Sequence, residues 1–200
     1  MRTVSVTGHG EARVVPDSAV VRVAATHRAA GVAEALAGAD SAAIQVVATA
    51  REHTTPERVG TTAVQIWPAY DQEGRPAGFE ARHSLTVRCP DVAAAGALLS
   101  DLAAAVGDRL QVEGVSLEVT DRSAAEARAR EAAYADAVDR ATRLAELAGS
   151  TLGEAQAVLE SGYAAEAPVG RALKASLETT SLEPGETAVT SSVTVTFQLR

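Results

Sequence analysis

The sequence predicts an α+β fold, and three observations carry that prediction. Strand-like alternation opens and closes the chain, at 3–15 and 187–199. Between these ends the apolar period switches repeatedly between two residues and three or four, so helices are interleaved with strands. Turn chemistry at Asp71-Gln72-Glu73-Gly74-Arg75-Pro76 joins two of the strands as a hairpin.

Taken in order, residues 3–8 and 11–15 are β-branched and alternating, interrupted by Gly8-His9-Gly10 and ended by Pro16-Asp17. A second strand follows, with Ala19, Val21, Val23 and Ala25 on one face and Arg22, Thr26 and Arg28 on the other. From Val32 to about His53 the recurrence of Leu36, Ala39, Ala43, Val47 and Ala50 gives a helix with a narrow apolar stripe. Thr61–Tyr70 reads as a strand ending at Pro68, and Phe79–Cys89 as its hairpin partner, with His83 on the face shared by Phe79, Ala81, Leu85, Val87 and Cys89. Asp91 is placed as the N-cap of a helix over Val92–Ala105, and Val112–Thr120 forms the next strand. The order over 18–121 is β-α-β-β-α-β, the split arrangement of ferredoxin-like folds.

The longest helix spans 124–148, opened by the capping box Ser123-Ala124-Ala125-Glu126 and closed by Gly149. Its inner face reads as Ala133, Ala137, Ala141, Leu144 and Ala148. A strand is expected at about 152–163, then a loop-like stretch over 164–186 with Pro168, Gly170, Pro184 and Gly185, in which Val169–Leu177 has the pattern of a short helix. The closing strand at 187–199 needs partners outside the β-α-β-β-α-β unit. The available ones are 3–15 and 152–163, so residues 1–17 and 122–200 are expected to form a second small α/β subdomain.

Composition excludes several functional classes. With 18 basic and 26 acidic residues in 200, the formal charge is −8 and the pI about 5.0, which repels nucleic acid. No stretch approaches the ~18 apolar residues of a membrane span. A strand-like Thr3-Val4-Ser5-Val6-Thr7 stands where a leader would carry its apolar region, and Cys89 is the lone cysteine, so the expectation is a cytoplasmic protein with no disulfide and no thiolate cluster. Aromatics make up only 3%, so alanine and branched aliphatics must build the core.

No catalytic constellation is legible. Gly8-His9-Gly10-Glu11 leads into a strand rather than a helix, so it reads as a β-bulge, kink or close backbone approach and not as a phosphate loop. The histidines at 9, 27, 53 and 83 lack the short spacing of metal ligands, and His83 reads as a core or boundary histidine. Cys89 reads as packing, and Pro16-Asp17 as the turn into the next strand. Whether His9, Asp17 and His83 converge depends on the fold. Trp67, Tyr70 and Phe79 form an aromatic group read either as hairpin core or as an interface. No metal or other cofactor is expected.

Four segments together resemble the SIMPL-domain family: Val-Ser-Val-Thr-Gly-His-Gly-Glu-Ala-Arg-Val-Val-Pro-Asp at 4–17, the stretch 78–88, the alanine-rich 136–149, and 184–197 with its Pro184-Gly185 start. They run through the chain in the family's order, so the whole chain resembles one SIMPL-type module. The family includes periplasmic immunogenic proteins of Gram-negative bacteria, some assembled into large rings, and a mammalian adaptor associated with a receptor kinase in inflammatory signalling. The resemblance implies an α+β bacterial protein with no established enzymatic reaction or cofactor, and a stress- or envelope-related role. It carries over no catalytic residue. Relatives are often exported, and where His83 stands they often have a small polar residue such as Asn. The resulting expectation is a non-enzymatic, homo-oligomeric scaffold, with a small-molecule-binding regulatory module or an enzyme as the alternative.

Overall fold

The computed structural model describes residues 2–165 and 182–200, with 161–165 described by backbone alone. The fold is α+β: seven strands in two antiparallel sheets, with three α-helices among the described residues. The chain divides into two compact units, a central one over Asp17–Glu118 with 182–184, and a terminal one from 2–16, 119–165 and 185–200. The helical pattern at 169–177 and most of the stretch expected as loop lie outside the described residues.

In the central unit, β2 (Ser18–Ala29), β3 (Val59–Tyr70), β4 (Pro76–Cys89) and β5 (Leu110–Glu118) form a sheet in the order β3-β4-β2-β5. Helix α1 (Val32–Ala50) connects β2 to β3 and α2 (Val92–Val106) connects β4 to β5, and each connection skips one strand. Alternation along β2 and β4 sends Val21, Val23, Leu85, Val87 and Cys89 to a buried face against Ala42, Ala43 and Val46 of α1 and Leu98 and Leu102 of α2. Leu182 joins this core, which explains why 182–184 group with the central unit and not with the terminal subdomain expected from sequence. Asp91 caps α2, its carboxylate accepting from the Ala94 N–H at 2.7 Å. The hairpin turn closes as its residues dictate, with the Asp71 carboxylate accepting from the N–H groups of Glu73 and Arg75. Pro68 lies inside β3 rather than at its end, tolerated because β3 is an edge strand with a register irregularity between Pro68 and Tyr70.

The terminal unit packs α3 (Ser123–Leu147) on a sheet ordered β1-β7-β6, from β1 (Thr3–Val14), β7 (Thr187–Leu199) and β6 (Leu152–Ala165). β7 thus lies between the two segments its pattern required, and β6 takes in 164–165, expected as loop. The buried residues of α3 are Ala125, Ala129, Ala133, Ala137, Ala141 and Ala145, one every four residues. Leu144 is 45% exposed, so it does not belong to the inner face. The capping box does not form either. Ser123 is already the first helical residue, Arg122 holds the N-cap, and Asp121 accepts from the Ser123 N–H at 2.9 Å.

Gly8 and Gly10 do not kink the chain. β1 pairs with β7 in unbroken register through both, Gly8 opposite Val193 and Gly10 opposite Ser191. Their role is close approach: a Cβ at Gly8 would collide with the Ala133 carbonyl oxygen and the Ala137 nitrogen, and one at Gly10 with the Ala129 oxygen and the Ala133 nitrogen. Gly8→Ala or Gly10→Ala must therefore push α3 off the sheet, at a cost of about 2–3 kcal/mol. Gly60→Ala, where a Cβ meets nothing within 4 Å, should change stability by less than about 1 kcal/mol. Urea unfolding of the three variants checks this; equal effects at all three positions would contradict it.

Cys89 is 1% exposed. Burial pushes its thiol up to about 11, the charge of Asp91 adds to the rise, and Arg58 partly opposes it. The thiol is therefore protonated and inert at neutral pH. A thiol reagent at pH 8 should label the folded protein only as fast as it opens, and label it at once in urea. Immediate stoichiometric labelling of the folded chain would be the opposite result.

Candidate functional site

The side chains that can do chemistry meet in the central unit, beside a strand irregularity. Along most of β3 each residue faces one residue of β4, with Val64 opposite His83 and Ile66 opposite Ala81. Between Thr61 and Ala63 the register slips: Thr61 faces Leu85, Ala63 faces Ser84, and Thr62 has no partner in the ladder. This bulge keeps Thr61 and Val64 on the same face although they are an odd number of residues apart. That face is the one turned to α1, and it brings the Thr61 hydroxyl to His83.

His83 is held at both ring nitrogens. Nε2 lies 2.9 Å from Thr61 Oγ1, and Nδ1 lies 3.0 Å from Asp40 Oδ1. A carboxylate can only accept, so Nδ1 donates to Asp40, and in the neutral ring Nε2 is left to accept from the Thr61 hydroxyl. The His83 side chain is 18% exposed, that of Asp40 49%, and Thr61 is exposed. The three groups line a cleft of about 540 Å³, whose remaining walls are Ala43, Ile44, Val47, Ala48, Arg51 and Leu85. The cleft exists because α1 packs chiefly on β2 and β4, leaving the α1-facing side of β3 open. Ile44 is 69% exposed and Val64 49%.

The structure places the other sequence-derived candidates apart from this group. His9 lies on β1 in the terminal unit, its backbone N–H donating to Asp136 Oδ2 at 2.9 Å. The Asp17 N–H donates to the Glu118 carbonyl at 3.1 Å. Neither is a partner of the His83 ring, whose two partners are Thr61 and Asp40. Pro16 is buried in the short connection between β1 and β2, and Pro184 and Gly185 lie in the irregular stretch before β7. His27 packs its ring on Gly38 of α1, and His53 Nε2 lies 2.8 Å from Asp101 Oδ2. Among the described residues no group of three or more His, Cys, Asp or Glu is arranged to hold a metal ion. None of the described helices is long and apolar enough to cross a membrane. Trp67 and Phe79 do not form one patch: Trp67 pairs with Glu80 and Phe79 with Pro68, so they project from opposite faces of the hairpin. Phe79 packs on Ala35, Ala39 and Ala81, while Tyr70 is 59% exposed.

The two edges of the terminal sheet also differ. On the edge of β1 the Thr7 carbonyl accepts from Arg140, the His9 N–H donates to Asp136, and the Arg13 carbonyl accepts from Arg128, all three side chains coming from α3. β6 is the opposite edge. Between register slips, its segment from Ala157 to Ser161 pairs regularly with β7 and carries Val158 at 58% exposure and Leu159 at 67%.

Sequence reasoning missed Asp40 and Thr61. Asp40 sits next to the stripe positions Ala39 and Ala43, which marks it as a residue at the rim of the buried face. Nothing in the sequence marks the bulge.

Compared with known proteins, the chain matches no curated protein. Among solved structures it is similar to a rubisco-like protein from Burkholderia fungorum, at 16% identity and a TM-score of 0.24, over 56% of this chain and 29% of that one. It is also similar to AtUAH in complex with (S)-hydroxyglycine, at 12% identity and a TM-score of 0.25, over 64% of this chain and 34% of that one. The chain spans about a third of the length of these proteins. Likenesses this slight carry no argument. A family model, by contrast, matches residues 4–197, nearly the entire chain, and on that match the chain belongs to the SIMPL family, described as a protein of unknown function (DUF541).

Proposed function

We propose that this protein is a self-associating interaction scaffold, a role that needs no catalysis. The observation that carries this reading is the contrast between the edges of the terminal sheet. Three side chains of α3 cap backbone groups of β1 and block further pairing there. β6 instead presents Val158 and Leu159 on a regular stretch of edge, and residues 152–165 contain no Lys, Arg or Pro. Sheet edges of that kind pair with other strands unless they are guarded. Pairing of two β6 edges about a two-fold axis would give a closed, isologous assembly. A second reading rests on the cleft beside α1, which has the size and the largely apolar lining of a small-molecule site.

Light scattering of the full chain at micromolar concentration should give a multiple of the 20.5 kDa protomer mass. The substitutions Val158→Lys and Leu159→Lys should lower it to that of a monomer, while Tyr70→Arg on the hairpin leaves it unchanged. A monomer across the micromolar range rules out self-association, and loss of the oligomer in Tyr70→Arg alone would move the interface to the hairpin.

A further inference from the structure

The cleft between α1 and β3 holds more than a place to bind. Three features of acyl-transfer sites coincide there. A hydroxyl lies within hydrogen-bond reach of an imidazole nitrogen, at 2.9 Å, and the other ring nitrogen meets a carboxylate at 3.0 Å. Both bonds have the sense such chemistry uses: the carboxylate orients the ring, and the ring accepts from the hydroxyl. Thr62, next to the hydroxyl-bearing residue, has no partner in the ladder, so the strand departs from regular pairing at the hydroxyl. The apolar walls at Ile44, Val47 and Leu85 match a hydrocarbon acyl chain.

We propose that Thr61 is an acyl acceptor and that the cleft hydrolyses carboxylic esters with short apolar acyl chains. This rests on the reading of the cleft as a small-molecule site and is independent of the β6 edge. Thr61 Oγ1 attacks the ester carbonyl carbon, forming the Oγ1–C bond, while its proton passes to His83 Nε2. The tetrahedral oxyanion collapses; the bond to the alkoxy oxygen breaks, and that oxygen leaves as the alcohol with the proton from Nε2. Water then attacks the acyl-threonine and gives a proton to Nε2. The Oγ1–C bond breaks, Thr61 recovers its proton, and the carboxylic acid is released. The sequence is redox-neutral and water is its sole co-reactant. Thr61 and His83 are the catalytic residues, and Asp40 is a positioning residue acting through the ring.

The test is hydrolysis of p-nitrophenyl butyrate by the full chain. Wild type should exceed the buffer rate, Thr61→Val and His83→Ala should each lower kcat/KM by about 100-fold or more, and Thr61→Ser should retain activity. Asp40→Asn should lower kcat with little change in KM, and Asp40→Glu should recover part of the loss. Peptide mass spectrometry after acid quench should place a butyryl group on Thr61, a readout that holds even if Thr61→Val fails to fold. Hydrolysis at the buffer rate, activity unchanged in Thr61→Val, or an adduct on another residue would overturn the proposal. Thermal shift with butyrate and p-nitrophenol separates the two ideas: stabilisation without turnover keeps the cleft as a binding site and rejects acyl transfer, and no stabilisation together with no turnover rejects both.

Discussion

The terminal unit depends on one contact, the row of alanines on α3 lying against Gly8 and Gly10 of β1. Four residues of helix advance about 6.0 Å, and two residues of strand about 6.8 Å. The two repeats stay nearly in step, so each β1 position that faces α3 meets the space between two successive alanines. Gly10 sits at Ala129 and Ala133, Gly8 at Ala133 and Ala137, and Ala12 packs with Ala125 and Ala129. A four-residue row winds slowly round a helix, which suits the oblique crossing of helix on strand. Such closeness yields dispersion energy from many small contacts rather than from large side chains. It also explains the shortage of bulky residues: Val6, Val189, Val193, Val195 and Phe197 are the large buried groups there. With α3 so close, its longer side chains reach the free backbone groups of β1, and the same helix that builds the core guards one sheet edge.

The central unit solves its packing differently. Val21, Val23, Leu85, Val87, Leu98 and Leu102 fill a conventional core between the sheet and two helices. α1 is centred over β2 and β4, so the outer strand β3 keeps an uncovered flank. A bulge in that flank and a single acidic residue at the rim of the helix turn a partly buried histidine from a packing element into a doubly bonded group. The chemistry there follows from a local irregularity of one strand.

Much of the fold was legible from patterns that depend on neighbours in the chain. The period-two alternation of 187–199, the Asp71–Arg75 turn and the Asp91 cap all report local geometry, and each stands as read. The family was legible because four weak motifs kept their order. What failed depended on distant partners. A glycine pair in a strand has the same sequence signature whether it bends the chain or admits a helix, so bulge, kink and close approach stood together for Gly8 and Gly10, and only the fold selects the close approach. Ser123 and Glu126 have capping-box spacing, but Asp121 starts the turn two residues earlier. The inner face of α3 was misread at Leu144 because a four-residue row departs from the average helical period. The aromatic group dissolved because a hairpin sends alternate residues to opposite faces. The Asp40–His83–Thr61 group was not legible at all, since it needs the phase of α1, the register of β3 on β4 and the slip at Thr62 together.

The most direct test of the central claim is hydrogen exchange on the full chain carrying Ala133→Leu, which drives a wedge into the row on α3. The account predicts that amides of β1 and β7 lose protection together while those of β2 and β4 in the central unit keep theirs. Retained protection in β1 would contradict the claim that the alanine row holds the terminal sheet.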